Sequence, residues 1–145
     1  METHYQHILA ALDFDPSSLQ VGRRAREIAR RHGAKLSLVH VVEEVNISAG
    51  YELMPLLPEL PDENVLQEAQ ASLDRIAAQL ELPDCARFAV SAVSTKEGVI
   101  KLATTEKVDL IVIGCHQRRG LSVLLGSTAN ALTGSAPCDV LAVRI

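Results

Sequence analysis

The residues best suited to chemistry lie between Asp109 and Asn130, in the sequence DLIVIGCHQRRGLSVLLGSTAN. An apolar run ends at Gly114, a basic loop follows, and Gly126-Ser127-Thr128 precedes a segment that we predict to be helical. Backbone N–H groups at a helix N-terminus lack intrahelical partners and sit at the positive end of the helix dipole. Glycine lets a phosphate approach the main chain because it has no Cβ. The segment therefore predicts a phosphate-binding site.

Catalysis by these residues is not predicted. Ser127 and Thr128 have no evident general base beside them, and as helix caps their hydroxyls need no ligand. The chain has no Gly-x4-Gly-Lys-Ser/Thr motif and no evident carboxylate–lysine set for Mg²⁺ and transition-state charge. An enzyme, such as a slow ATPase or a phosphoryl transferase, is thus the least favoured hypothesis, and any ATP hydrolysis is expected to be slow and incidental.

The length, composition and charge of the chain limit the classes of protein to which it can belong. A length of 145 residues predicts one domain over 1–145 with a real hydrophobic core. Apolar residues make up 48% of the chain, but no run approaches the ~18 residues that span a bilayer, and the start does not resemble a secretion signal. Three widely spaced cysteines fit reduced thiols better than disulfides or a zinc site. A charge of −4 with four aromatic residues disfavours nucleic acid. We expect a soluble cytoplasmic protein without a metal site.

Strand and helix patterns alternate along the chain. Apolar runs predict strands at 7–12, 36–42, 87–93, 109–113 and 138–144, the third of them an edge strand. Helical spacing and capping residues predict helices from Pro16 (capped by Asp15) to a C-cap at Gly33, at 63–80, from Ser94 through Ala103, and from Ser127 to Gly134. This order predicts an open, doubly wound α/β fold with a parallel sheet and helices on both faces.

The stretch 45–61 departs from this alternation. Three prolines among four leucines forbid a regular helix there but suggest that the segment packs on something. The pattern leaves two alternatives open: a loop lying over the core, or a ligand lid or partner surface.

Several stretches together resemble the universal stress protein family over essentially the whole chain. They are ILAALD ending at Asp13, LSLVHV, DLIVIGCH, GSTAN and APCDVLAVR. The resemblance implies a five-stranded, adenine nucleotide alpha hydrolase-like fold with strand order 3-2-1-4-5, and a homodimer joined through the last strand. It also implies one of two branches: members that bind ATP, and members that do not.

The glycine loop matches the ATP-binding branch in part. That branch carries Gly-x2-Gly-x9-Gly-Ser/Thr, of which Gly114 matches the first glycine and Gly126-Ser127 the last pair. Gln117 replaces the second glycine, and eight residues instead of nine separate it from Gly126. Arg118 and Arg119 supply charge that suits phosphate oxygens, although exposed loop arginines are also commonly solvated.

The resemblance implies a ligand, ATP or AMP with Mg²⁺ accompanying ATP, and a set of contacts. Asp13 corresponds to the ribose or adenine side, Val41 to a main-chain contact with adenine, and Ile113, Gly114 and His116 to the ribose and phosphate entrance. Gly126, Ser127 and Thr128 correspond to phosphate contacts. For Asp13 the alternative is a turn cap, for His116 an ordinary loop histidine. His40, within an apolar strand, is interpreted as a core histidine and not as a metal ligand.

Two functions remain in contention beside the disfavoured enzyme. The first is a stress-response regulator whose adenine-nucleotide occupancy alters a partner surface. The second is a nucleotide-free dimeric protein that acts on an unknown client protein through its surfaces. We favour the first because Gly126-Ser127 and Asp13 are present together, although nothing in the fold requires that pairing.

Overall fold

The computed structural model describes residues 3–44, 63–115 and 127–145. In chain order these residues form β1 (His7–Ala11), α1 (Ser18–His32), β2 (Lys35–Glu43), α2 (Glu63–Gln79), β3 (Ala86–Ala92), α3 (Thr95–Thr105), β4 (Leu110–Cys115), α4 (Ser127–Ser135) and β5 (Asp139–Arg144). The strands pair in parallel in the order β3-β2-β1-β4-β5. The predicted fold and strand order are confirmed, and β3 is an edge strand as expected. The predictions for 45–61 and for the loop 116–126 lie outside the described residues.

The central strand β1 is buried on both faces, as its unbroken apolar run predicts. Successive side chains of a strand point to opposite faces. Ile8 and Ala10 accordingly pack in the core under α1 and α2, whereas Leu9 and Ala11 pack in the core under α3 and α4. The sheet thus separates two apolar layers, each covered by two helices.

The capping signals of the sequence are confirmed with small shifts. Gly33 ends α1 in the left-handed conformation with φ of 62°, and the Ser94 hydroxyl accepts the Glu97 N–H at 3.2 Å at the start of α3. The carboxylate of Asp15 accepts the Ser17 N–H at 2.9 Å, but it caps a preceding turn, and α1 begins only at Ser18. The prediction that α1 begins at Pro16 was therefore two residues early.

The prediction that β4 stops at Gly114 is wrong. Gly114 pairs with Val143 and Cys115 with Arg144, and the Ile145 N–H donates to the Cys115 carbonyl at 3.1 Å. The neighbouring strand β5 continues alongside, so β4 keeps hydrogen-bonding partners beyond the glycine. Gly134 likewise lies inside α4, which ends at Ser135.

α3 lies very close to β2 because residue 98 is a glycine. A Cβ at Gly98 would stand 2.8 Å from both γ-carbons of Val41 and 3.2 Å from the Cβ of Ala92. Real Cβ atoms do not approach other carbons so closely, so the absence of a side chain sets the separation of helix and sheet at Val41.

We predict that Gly98→Ala destabilises the protein by about 1 kcal/mol, because overpacking of about 1–3 kcal/mol outweighs a helix-propensity gain of about 1 kcal/mol. Gly134→Ala is the matched control, since no heavy atom lies within 4 Å of its added Cβ and the helix gains alanine. Urea unfolding measures both variants. A Gly98→Ala protein as stable as the Gly134→Ala protein would contradict the packing argument.

Candidate functional site

The candidate site lies where the connections from the central strands go to opposite faces of the sheet. α1 follows β1 over one face, whereas α4 follows β4 over the other face, so the chain diverges beyond the carboxyl ends of β1 and β4. Open α/β sheets bind ligands in the crevice that such a switch point leaves. A cleft of about 250 Å³ opens there.

Five of the eight predicted site residues line this cleft: Asp13, Val41, Ile113, Gly114 and Thr128. Val41 and Ile113 are buried near the ends of β2 and β4, whereas Asp13 is exposed just after β1. Ser127 is the first residue of α4, and His116 and Gly126 lie outside the described residues. The structure thus brings together residues from β2, β4, α4 and the turn after β1, and their contact with a ligand stays a prediction.

Asp13 organises the turn between β1 and α1. Its Oδ1 accepts the Asp15 N–H at 3.1 Å and the Ser18 hydroxyl at 3.0 Å. Ser18 is only 3% exposed and lines the cleft beside Asp13. The structure therefore shows the turn-capping role that was the alternative for Asp13, and it places the same carboxylate at the cleft.

The main chain of Val41 faces the cleft. The Leu12 N–H donates to the Val39 carbonyl at 2.8 Å, which places the polar backbone groups of Val39 on the β1 side of β2. Backbone direction alternates along a strand, so the N–H and C=O of Val41 point to the same side, where β1 has already ended. A donor and an acceptor side by side suit adenine, which offers an amino group next to a ring nitrogen.

His40 is held by the backbone and by an aromatic neighbour. Its Nδ1 lies 2.7 Å from the Leu12 carbonyl, and since that oxygen can only accept, Nδ1 is the donor. The ring stacks on Phe14, with centroids 4.0 Å apart and planes at 27°. His40 is half-buried and lines the cleft, so it is not the core histidine of the interpretation, although the chain's own groups hold its ring and it ties β2 to the turn that carries Asp13.

Two helices begin at the cleft, since Thr95 of α3 and Thr128 of α4 both line it. The start of α3 is already satisfied by the chain itself: Glu43 Oε1 accepts the Thr95 N–H at 3.0 Å and the Thr95 hydroxyl at 2.9 Å. A carboxylate at this position neutralises the positive end of the α3 dipole. Electrostatics therefore disfavour the start of α3 as the place for an anion.

Ser18, Thr95 and Ile145 are among the lining residues that the sequence prediction missed. Ser18 and Thr95 follow capping patterns, but no local pattern tells which helix starts face the cleft. Ile145 explains Gly114: an added Cβ would stand 2.8 Å from Ile145 Cδ1 and 3.1 Å from Val21 Cγ2. An isolated glycine inside a strand was the available signal of such a close approach.

The fold places the chain in the class of open, doubly wound α/β proteins, and its cleft lies at the switch point where proteins of that class commonly bind ligands. A profile of the Universal stress protein family matches residues 4–144. Universal stress protein A homolog 1 of Coxiella burnetii is 41% identical over 141 residues, which cover 97% of this chain and 96% of that protein. Homolog 2 of the same organism is 35% identical over 150 residues, covering 98% and 97%. The chain belongs to the universal stress protein family.

Solved structures of the same family share the fold. The protein UspA from Lactobacillus plantarum is 22% identical with a TM-score of 0.68, covering 99% of this chain and 100% of that one. A universal stress protein in complex with cAMP is 25% identical with a TM-score of 0.66, covering 98% of each chain. An Archaeoglobus fulgidus relative in complex with dAMP is 19% identical with a TM-score of 0.64, covering 97% and 98%. Within the described ranges, no helix is both long and apolar enough to span a membrane.

We predict that Gly114→Ala destabilises the protein by about 1 kcal/mol, at the low end of overpacking costs, because the new methyl group crowds Val21 and must displace the end of the Ile145 side chain. Adding Ile145→Ala to this variant removes the atom that lies closest to the methyl group. The cost of Gly114→Ala measured in the Ile145→Ala background should therefore be smaller, giving a coupling of about 0.5 kcal/mol or more. Urea unfolding of the wild type, the two single variants and the double variant measures this coupling. If the two costs are additive, contact with Ile145 is not the reason for a glycine at position 114.

Proposed function

We propose that this protein binds an adenine nucleotide, ATP or AMP, in the switch-point cleft and serves as a stress-response regulator whose occupancy alters a partner surface. The observation that supports the proposal is the convergence of Asp13, the Val41 main chain, Gly114 and Thr128 on one cleft. The family relative crystallised with cAMP supports adenine nucleotides as the ligand class.

The residues that line the cleft suggest which of them contact the base, the ribose and the phosphates of the nucleotide. A volume of about 250 Å³ is below the ~300–1,000 Å³ that ligand pockets usually measure, so the cleft holds only part of a nucleotide. We assign the base to the Val41 main chain and the ribose to Asp13 and the residues around Ile113 and Gly114. The phosphates extend toward the first turn of α4, where we assign Gly126, Ser127 and Thr128 as contacts.

Two further features belong to this proposal. Mg²⁺ accompanies ATP, because the triphosphate supplies oxygen ligands of the kind that this ion prefers. The protein acts in the cytoplasm, where nucleotide concentrations reflect the energetic state of the cell and three free cysteines are kept reduced.

We predict that ATP or AMP raises the stability of the purified protein. Ligand at about 100 times its Kd should add about 2.7 kcal/mol to the free energy of unfolding. Asp13→Asn should weaken affinity about tenfold, because the amide keeps Oδ1 for the turn but replaces the second acceptor oxygen with an NH2 group. Calorimetric titration measures affinity, and thermal unfolding measures stability.

Asp84→Asn is the matched control, since it removes one exposed carboxylate beside a different cavity, at the amino end of β3. Unchanged affinity in Asp84→Asn and a loss in Asp13→Asn would support the assignment. Absence of any heat or stabilisation at millimolar nucleotide would reject nucleotide binding and leave the second candidate function.

The second candidate is a nucleotide-free dimer that acts through protein contacts, and the edge strand β5 favours it. Val140, Leu141, Ala142 and Val143 of this strand are only half-buried, although the equivalent residues of β4 are mostly buried. An apolar edge strand with unpaired backbone groups is a natural surface for pairing with a second copy. We propose a homodimer through β5 under either function, with a client protein as the further partner.

We predict that Ala142→Pro dissociates this dimer without unfolding the protein. The Ile145 N–H bonds β4, so by alternation Leu141 and Val143 also face β4, whereas the Ala142 N–H points outward. Proline at an outward position of an edge strand removes only the outer donor. Val143→Pro is the contrasting variant, because it removes a donor to β4 and should destabilise the fold.

Sedimentation equilibrium and circular dichroism distinguish the outcomes. A dimeric wild type together with a folded, monomeric Ala142→Pro protein is the expected result. A wild type that is monomeric, or an Ala142→Pro protein that remains dimeric, would exclude pairing through β5.

A further inference from the structure

The outer surface of α1 carries a concentration of arginine that neither the core nor the cleft uses. Five arginines against one glutamate give Ser18–His32 a formal charge of +4. The whole chain carries −4, so the residues outside α1 together carry −8. Positive charge is thus concentrated on one helix of an acidic protein.

The charges lie on one side of this helix. Val21, Ala25 and Ala29 face the core, and the residues on the opposite side are all exposed. These exposed residues are Gln20, Arg23, Arg24, Glu27, Arg30 and Arg31, which we call the basic face. Arg26 does not belong to it, because its guanidinium turns inward and donates to the Leu80 carbonyl at 2.6 Å.

The basic face is largely unneutralised. Arg31 pairs with Glu27 at 2.8 Å, and their side chains are 75% and 47% exposed. In residues 3–44, 63–115 and 127–145, no hydrogen bond or ion pair engages the guanidinium groups of Arg23, Arg24 and Arg30. Capping does not explain Arg23 and Arg24 either, because they lie in the middle of the helix and not in its last turn.

The size of this face selects among anionic partners. A helix of 15 residues is about 22 Å long. A nucleic acid duplex or an anionic bilayer extends well past that length. The remainder of the chain has a net charge of −8, which opposes a long polyanion more than a ligand that ends with the helix. A short acidic peptide escapes this repulsion, since about six extended residues span about 20 Å.

We propose that the basic face of α1 docks a short, Asp- and Glu-rich segment of a partner protein. Guanidinium groups match carboxylates with two parallel hydrogen bonds, and three of them here are available for such pairs. This surface lies on the helical layer over one face of the sheet, so docking leaves β5 uncovered for pairing between copies.

The test is a titration of isotope-labelled protein with hexaglutamate, followed by amide chemical shifts in nuclear magnetic resonance spectra. We expect shifts confined to α1 with a Kd of about 1 mM or tighter at low salt, weakening as salt screens the charges. The variant Arg23→Gln/Arg24→Gln/Arg30→Gln should bind about tenfold more weakly, as three exposed ion pairs are lost. Glutamine keeps the helix propensity close to that of arginine, and melting curves verify the fold.

The matched control is Arg75→Gln/Lys101→Gln/Lys107→Gln, which removes the same charge from exposed positions on α2, on α3 and just after α3. An equal loss of affinity in both triple variants would show that binding depends only on the net charge of the protein, and it would overturn the proposal. Absence of shifts in the wild type, or shifts outside α1, would also overturn it. Tighter binding of a DNA duplex or of phosphatidylserine vesicles than of hexaglutamate would assign the face to a polyanionic surface instead and reject a peptide partner.

Discussion

The register of β1 between its two neighbours is the constraint on which the cleft depends. Shifting a strand by one residue turns its whole side-chain pattern to the other face. Here the register is set at the amino ends of the strands: the carboxylate of Asp109 accepts the N–H groups of Gln6 at 2.8 Å and His7 at 3.0 Å. The buried ring of His7 joins Ser37 Oγ at 2.7 Å across to β2. These polar contacts at one end decide which residues stand side by side at the other end, where the cleft opens.

Burial makes these contacts effective. His7 is 7% exposed and Ser37 is fully buried, so the loss of either partner leaves a polar group in an apolar layer without its hydrogen bond. A slipped register imposes the same penalty, in addition to exposing apolar side chains of β1. The hydrogen bond between His7 and Ser37 therefore raises the free energy of a misaligned register by more than it lowers the free energy of the native one. Apolar packing alone would leave neighbouring registers closer in free energy.

Local signals explain why so much of the fold could be predicted from the sequence. The cap at Ser94, the C-cap at Gly33 and the apolar run of β1 each act over a few residues, and each was confirmed. The errors arose where a distant element decides the outcome. β4 continues through Gly114 because β5 runs beside it, and the side chains that crowd Gly114, Val21 and Ile145, lie far away in the sequence.

The candidate site was predictable to the same degree and for the same reason. Family resemblance and strand ends indicated Asp13, Val41, Ile113, Gly114 and Thr128, and the topology brings these five to one cleft. The bond from Ser18 to Asp13 and the carboxylate of Glu43 at the start of α3 are tertiary contacts without a sequence pattern. Both contacts nevertheless affect the electrostatics of the cleft. The Ser18 hydroxyl orients the carboxylate of Asp13, and the carboxylate of Glu43 occupies the start of α3, which could otherwise attract an anion.

The cleft and the basic face share a single rigid element. Ser18 and Val21 line the cleft, and Arg23 and Arg24 follow within two turns on the outer side of the same helix. A ligand shifts a protein between states only as far as its affinity for those states differs. A nucleotide that contacts Asp13 can therefore influence the basic face only under one condition. The hydrogen bond between Asp13 and Ser18, and with it the position of α1 on the sheet, must have two arrangements that bind the nucleotide with different affinity. Gly22 limits that freedom, since its Cα packs against the buried side chain of Leu80, and an added Cβ would lie 2.7 Å from Leu80 Cδ1. Because α1 already lies close to Leu80 at this point, coupling between the two surfaces would require α1 to slide or rotate along this contact.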